Sequence, residues 1–129
     1  MSEQEHPLEA LHQARNAVAM AVSQQARTAQ PTLHELYAFG SAIVGTLAQL
    51  GNLSSVLADQ VGRFDQQELE RATTSDDPAD KLRVAGTHLA RLSDELATAV
   101  GDANRYWTAM EHVDLHTSGD LQTRREPDL

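Results

Sequence analysis

Apolar and small residues recur along this chain at alternating spacings of three and four. The longest series runs through Leu33, Leu36, Gly40, Ile43, Leu47, Leu50, Ser54, Leu57, Val61 and Phe64. That is the a/d ladder of a coiled-coil-like helix. A second series runs through Leu82, Ala85, Leu89, Leu92, Leu96, Ala99, Ala103, Tyr106, Met110 and Val113. A third and narrower stripe lies near the start, at Leu8, Leu11, Val18 and Val22, filled out by Ala14, Ala17 and Ala21. The spacing predicts three helices over about 4–29, 33–70 and 78–116.

The ends of these segments carry their own signals. Thr32 and Glu35 form a T-x-x-E capping box just after Pro31, so the second helix should begin at Leu33. Asp77 can cap the third helix, Pro78 suits its first position, and Asp80 places a carboxylate in its first turn. Ser2 with Glu5 is a weaker box for the first helix, with Pro7 in the opening turn. Gly51-Asn52 is the one point at which the second helix would split into two, giving four helices. The ladder keeps its register across that dipeptide, which favours a continuous helix. Ser118-Gly119 reads as the stop of the third helix, and 118–129 as a disordered tail after a single domain over 1–117. The connections near 30–32 and 72–77 are short enough to make neighbouring helices antiparallel. The fold class expected is therefore all-α: an antiparallel three-helix bundle with two long, coiled-coil-like helices.

Charge sharpens this picture. From Leu36 to Ala58 there is no charged residue, in a chain of formal net charge -9. A soluble helix normally shows water a charged face, so a helix without one should be covered on more than one side. The run is long enough to span a bilayer. Ser41, Gln49, Asn52, Ser54 and Ser55 within it, and the lack of flanking Lys or Arg clusters, favour a soluble helix without membrane contact. Tyr37, Phe39, Val44, Leu53 and Val56 lie off the second ladder, and Val100 and Trp107 flank the third. These residues widen the apolar surface and are the candidate interaction residues. Ser41, Ala48, Ser55 and Gly62 form a line of small residues that would let another backbone come close.

Composition adds limits. Hydrophobic residues make up 40% of the chain and aromatics 4%, so the core is built from Leu, Val and Ala, which suits packed helices. Absence of cysteine excludes disulfides and a thiolate nucleophile and fits a cytoplasmic protein, as does the polar, acidic opening SEQEHPLE. Nine arginines against the single Lys81 suggest a high-GC bacterial genome. The acidic balance argues against direct nucleic-acid binding, which needs clustered Lys and Arg. Asp65, Glu68, Glu70, Asp76, Asp77 and Asp80 form an acidic patch near the second turn, which could dock a basic partner.

Chemistry is sparse by comparison. His112 and His116 stand four apart on a helix but lack a third ligand. Glu9 and His12 match an E-x-x-H spacing, but the long ladders offer no inward carboxylates to complete a di-iron site. No G-x-S-x-G and no phosphate-binding glycine loop occurs. No cofactor and no metal is expected. In size, acidity and helical content the chain resembles the secreted Trp-x-Gly helical hairpins. Those carry Trp-x-Gly between their helices and Tyr-x-x-x-Asp/Glu after the second. Here Trp107-Thr108-Ala109 falls inside a helix and Tyr106 is followed by Met110, so no residue role carries over. The expectation is a non-enzymatic interaction or structural module that works through helix faces, as a homo-oligomer or with another helical protein. The alternative is a small acidic regulator that binds a basic partner through 59–80.

Overall fold

The computed structural model describes residues 6–64 and 78–125, with side chains at 6–64 and 79–113. Three helices account for them: α1 (Pro7–Ala26), α2 (Leu33–Gly62) and α3 (Pro78–Arg125). No strand occurs among the described residues, so the all-α, three-helix expectation holds. The chain divides into two units, 1–32 and 33–129.

The first unit contains α1. Pro7 occupies the first helical position, where its missing N–H is no loss and its fixed φ suits the helix. His6 caps it from an extended conformation, its Nδ1 accepting the Leu8 N–H at 3.1 Å. The helix is shorter than the expected 4–29, and the Ser2–Glu5 box lies outside the described residues. At the other end the Arg27 and Thr28 N–H groups turn back to the Gln24 and Gln25 carbonyls, closing the last turn with i−3 bonds. Its apolar stripe, including Leu8, Val18 and Val22, is exposed along its length.

The second unit holds the two long helices. α2 begins at Leu33, as its capping box predicts, and runs unbroken through Gly51-Asn52. A glycine ends a helix by entering the left-handed region, and none of the described glycines has positive φ. α2 closes at Gly62. There the Arg63 N–H is shared between the Asp59 and Gln60 carbonyls, and the Phe64 N–H reaches Val61, all at 3.2 Å. Arg63 and Phe64, expected to be helical, are therefore outside the helix, and 65–70 lie outside the described residues. α3 starts at Pro78 as expected; Asp77 is not among the described residues. It does not stop at Ser118-Gly119 but continues to Arg125, so 118–125 are helical where a disordered tail was expected. The reason is the same as at Gly51: without a left-handed turn, a single glycine costs only about 1 kcal/mol and leaves the helix intact.

α2 and α3 pack antiparallel. The Tyr106 hydroxyl donates to the Leu36 carbonyl at 2.5 Å, and the Ser93 hydroxyl donates to the Gly51 carbonyl at 3.3 Å. Gly86 lies opposite Val61. Half of each ladder faces the partner as predicted, with Gly40 and Ser54 of α2 and Ala103 of α3 buried. The other half does not. The alternating rungs between the helices are Tyr37, Gly51 and Ala58 on α2, and Gly86, Ser93, Val100 and Trp107 on α3. Each lies four residues beyond a shared rung, where three was expected. The predicted rungs Ile43, Leu57, Phe64, Leu92, Tyr106 and Val113 remain 37% to 51% exposed. Both helices are therefore rotated by about 50°, half the ~100° between successive residues, and they meet over their smaller side chains.

The tightest point of this seam is Gly40. A Cβ placed there would lie 2.7 Å from Cγ and Cδ1 of Trp107, whereas one at Gly45 would meet nothing within 4 Å. Gly40→Ala should therefore destabilise the hairpin by about 1–3 kcal/mol through overpacking. Gly45→Ala should stabilise it by up to about 1 kcal/mol through helix propensity. Thermal unfolding of the two variants beside the parent checks this; equal shifts of the same sign would refute the close approach.

Candidate interaction surface

The candidate interaction residues divide into three groups. Trp107 and Tyr37 belong to the seam: their rings are 6.4 Å apart and tilted by 36°, and both are half-buried. Val100 lines the seam beside Leu47 and Gly51. Val44 shares the heptad line of Tyr37, Gly51 and Ala58 and is also half-buried. Phe39 and Leu53 lie on a different side of α2, half-buried, next to the line of Ile43 and Leu57. Val56 is on the back of α2, half-exposed, and shares a surface with neither group. The structure therefore does not bring the seven together into one patch.

It assembles another set instead. In an antiparallel pair, the lines three residues beyond the shared rungs fall on the same side of both helices. On α2 that line is Leu36, Ile43, Leu50 and Leu57; on α3 it is Ala85, Leu92, Ala99, Tyr106 and Val113. The Tyr106–Leu36 hydrogen bond spans these two lines directly. Phe64, beyond the end of α2, lines a groove on the other side with Gly62 and Gly86. Phe39 and Leu53 extend the α2 side. The result is one apolar face along the hairpin, uncharged on α2 from Leu36 to Ala58. Its outer edge on α3 carries His88, Glu95 and Asp102, the last paired with Arg105 at 2.6 Å. Their spacing places these large residues on the two ladders, where a helix-packing seam is expected. The three-four ladder fits two registers, and nothing in the pattern says which one faces α3.

The opposite side of the hairpin is built from small residues. Ala48, Gly51 and Ser55 face Ser93, Ala97 and Val100 across a shallow groove. Gly62 borders a similar groove with Gly86 and Ala90. Ser41 belongs to the same heptad line and is exposed. Ser54 needs no partner from α3, since its hydroxyl donates to the Leu50 carbonyl at 2.9 Å within α2.

Of the acidic patch, Asp80 is described, exposed, and paired with Arg83 one turn on. Asp65, Glu68, Glu70, Asp76 and Asp77 lie outside the described residues. Asp59 pairs with Arg63 at 3.9 Å, both well exposed; such surface pairs contribute little. Among the described residues no three His, Asp or Glu side chains come close enough to hold a metal. His112 is exposed, and the side chain of His116 is not described.

The contact between Trp107 and Gly40 makes two linked predictions. Trp107→Ala should cost roughly 2–4 kcal/mol, somewhat below the loss for a fully buried Trp. In that background Gly40→Ala should turn neutral or stabilising, because the ring that opposes a Cβ is gone. A double-mutant cycle by chemical denaturation measures the coupling, and additive effects would refute it. Set against protein-family models, curated proteins and solved structures, the chain matches none.

Proposed function

We propose that this protein is a non-enzymatic interaction module that associates through a helix face, as a homo-oligomer or with another helical protein. One observation carries the reading. Among the described residues the buried hydrophobic core is Ala103 alone, while α2, uncharged from Leu36 to Ala58, buries only Gly40 and Ser54. Large apolar side chains on a soluble helix are normally taken out of water, at about 25 cal/mol per Å² removed. Here the removal needs a surface that α3 does not supply. Association of this face with a helical surface would provide it, in the manner of four-helix bundles.

A second reading has an observation of its own. By length and composition α2 can cross a membrane, and 6% of its most apolar stretch is buried. Its pairing with α3 weighs against that role. α3 carries Arg91, Asp94, Glu95, Asp102 and Arg105 through the stretch that runs beside α2, and burying such charges in hydrocarbon is costly. The Ser93–Gly51 and Tyr106–Leu36 hydrogen bonds hold the two helices together. A soluble module is the reading that keeps this pairing intact.

Light scattering on a sizing column, over a hundredfold range of concentration, tests the proposal. The expected mass is an integral multiple of the 14.1 kDa chain at the upper concentrations. A mass of one chain throughout, with no helical partner recovered, would refute it. Recovery in the membrane fraction would favour the second reading.

A further inference from the structure

We propose that two copies of this chain pair through the face bearing Ile43, Leu57, Leu92, Tyr106 and Val113, stacking their α2–α3 hairpins into a four-helix dimer. The inference rests on the oligomeric reading above and adds to it which face is used and how many copies meet. The two sides of the hairpin are unlike. The grooved side presents mainly small residues, Ala48, Ser55 and Gly62 among them, with Phe64 at one end. The other side presents the five large side chains, each more than a third exposed.

Area decides the occupant. Those five leave roughly 400 Å² accessible, and the half-buried Leu36, Phe39, Leu50 and Leu53 raise the face to roughly 600 Å², taking residues of about 150–250 Å². The largest apolar patch on a typical monomer is about 300–600 Å², while a standard interface covers about 800 Å² per partner. A little over half of a standard interface is apolar, roughly 450 Å² per partner, so the face can supply the apolar part of one side of a stable dimer. It is also uncharged along α2 from Leu36 to Ala58, so two copies related by a two-fold axis bring no charge of α2's central stretch into the middle of the contact. A short peptide would cover only part of its length.

Electrostatics gives the dimer a sign of its own. Each copy carries a formal charge of -9, so two copies repel over distance, and salt that screens the repulsion should tighten the dimer. Capture of a basic partner would instead weaken with salt.

The experiment uses the full chain, with Ile43→Glu and Leu57→Glu on the proposed face and Val56→Glu on the back of α2. All three positions are at least 38% exposed, so the hairpin should tolerate each charge, and circular dichroism checks the fold. Sedimentation equilibrium should give a dimer for the parent and for Val56→Glu, and at least a hundredfold weaker association for the two face variants. Because the chain has no cysteine, Leu50→Cys near the middle of the face supplies an independent readout: it should form a disulfide-linked dimer under mild oxidation, whereas Val56→Cys should not. If the parent dimerises and neither face variant weakens it, this face is wrong while the oligomeric reading stands. If only Val56→Glu dissociates it, the dimer uses the back of α2, and the proposal is again overturned. A parent that stays monomeric at all concentrations overturns both, as does one that is monomeric and floats with anionic vesicles. A monomeric parent that loses thermal stability on Ile43→Glu shows a face already covered within the chain, which also overturns it.

Discussion

The α2–α3 hairpin depends on how closely its two backbones approach, and that approach is set where Trp107 lies over Gly40. With no side chain at 40, the indole of α3 can rest on the α2 backbone itself. Tyr37 then flanks the ring one turn away. Further along the seam the same economy recurs: Gly51 meets Leu96 and Ser93, and Gly86 meets Val61. Small residues on one helix receive larger ones from the other, so interdigitation is achieved at short interaxial distance. The cost of the glycines, about 1 kcal/mol each in helix propensity, is offset only where a large neighbour fills the space they leave. Gly40 has such a neighbour and Gly45 does not.

That choice of seam has a consequence for the rest of the molecule. A heptad ladder gives each helix one line of shared rungs and two flanking lines, three and four residues on. The hairpin can bury only one of the two flanks. It half-buries the flank carrying Gly51, Ala58, Gly86, Ser93 and Trp107, which permits the closest contact, and leaves Ile43, Leu57, Leu92 and Tyr106 of the other flank exposed. The large side chains remain outside because the intrachain contact is better made by small ones. An excluded flank of this kind is the surface that the proposed association would take out of water.

The sequence carried most of the helical architecture in readable form, and the reasons are local. Thr32 and Pro78 sit at positions whose stereochemistry admits a helix start and little else, and α2 and α3 begin immediately after and at them respectively. The continuity of α2 through Gly51-Asn52 followed from the ladder, because an apolar register that survives a glycine implies a backbone that does too. Ser118-Gly119 misled for the converse reason: a glycine is a stop only in a left-handed conformation, and composition does not specify φ. The interaction surface was not legible in the same way. Periodicity identifies Ile43 and Val44 as equally apolar, three and four residues beyond Gly40, and which one turns inward depends on a side chain 67 positions further on.

Trp107 illustrates the general point. As the only tryptophan, it stands out in the sequence as a candidate anchor for a partner. In the structure it anchors α3 to α2, and by fixing their rotation it determines which apolar residues are left over. Its influence on the proposed association is therefore indirect: a change at Trp107 or Gly40 would permit the hairpin to rotate and turn Ile43 and Leu92 inward in place of Gly51 and Ser93. Loss of that contact and loss of the exposed face would then be one event, because the same two helices cannot bury both flanks at once. A surface defined in this way is specified by the core beneath it, and its residues need no polar signal of their own to be set apart.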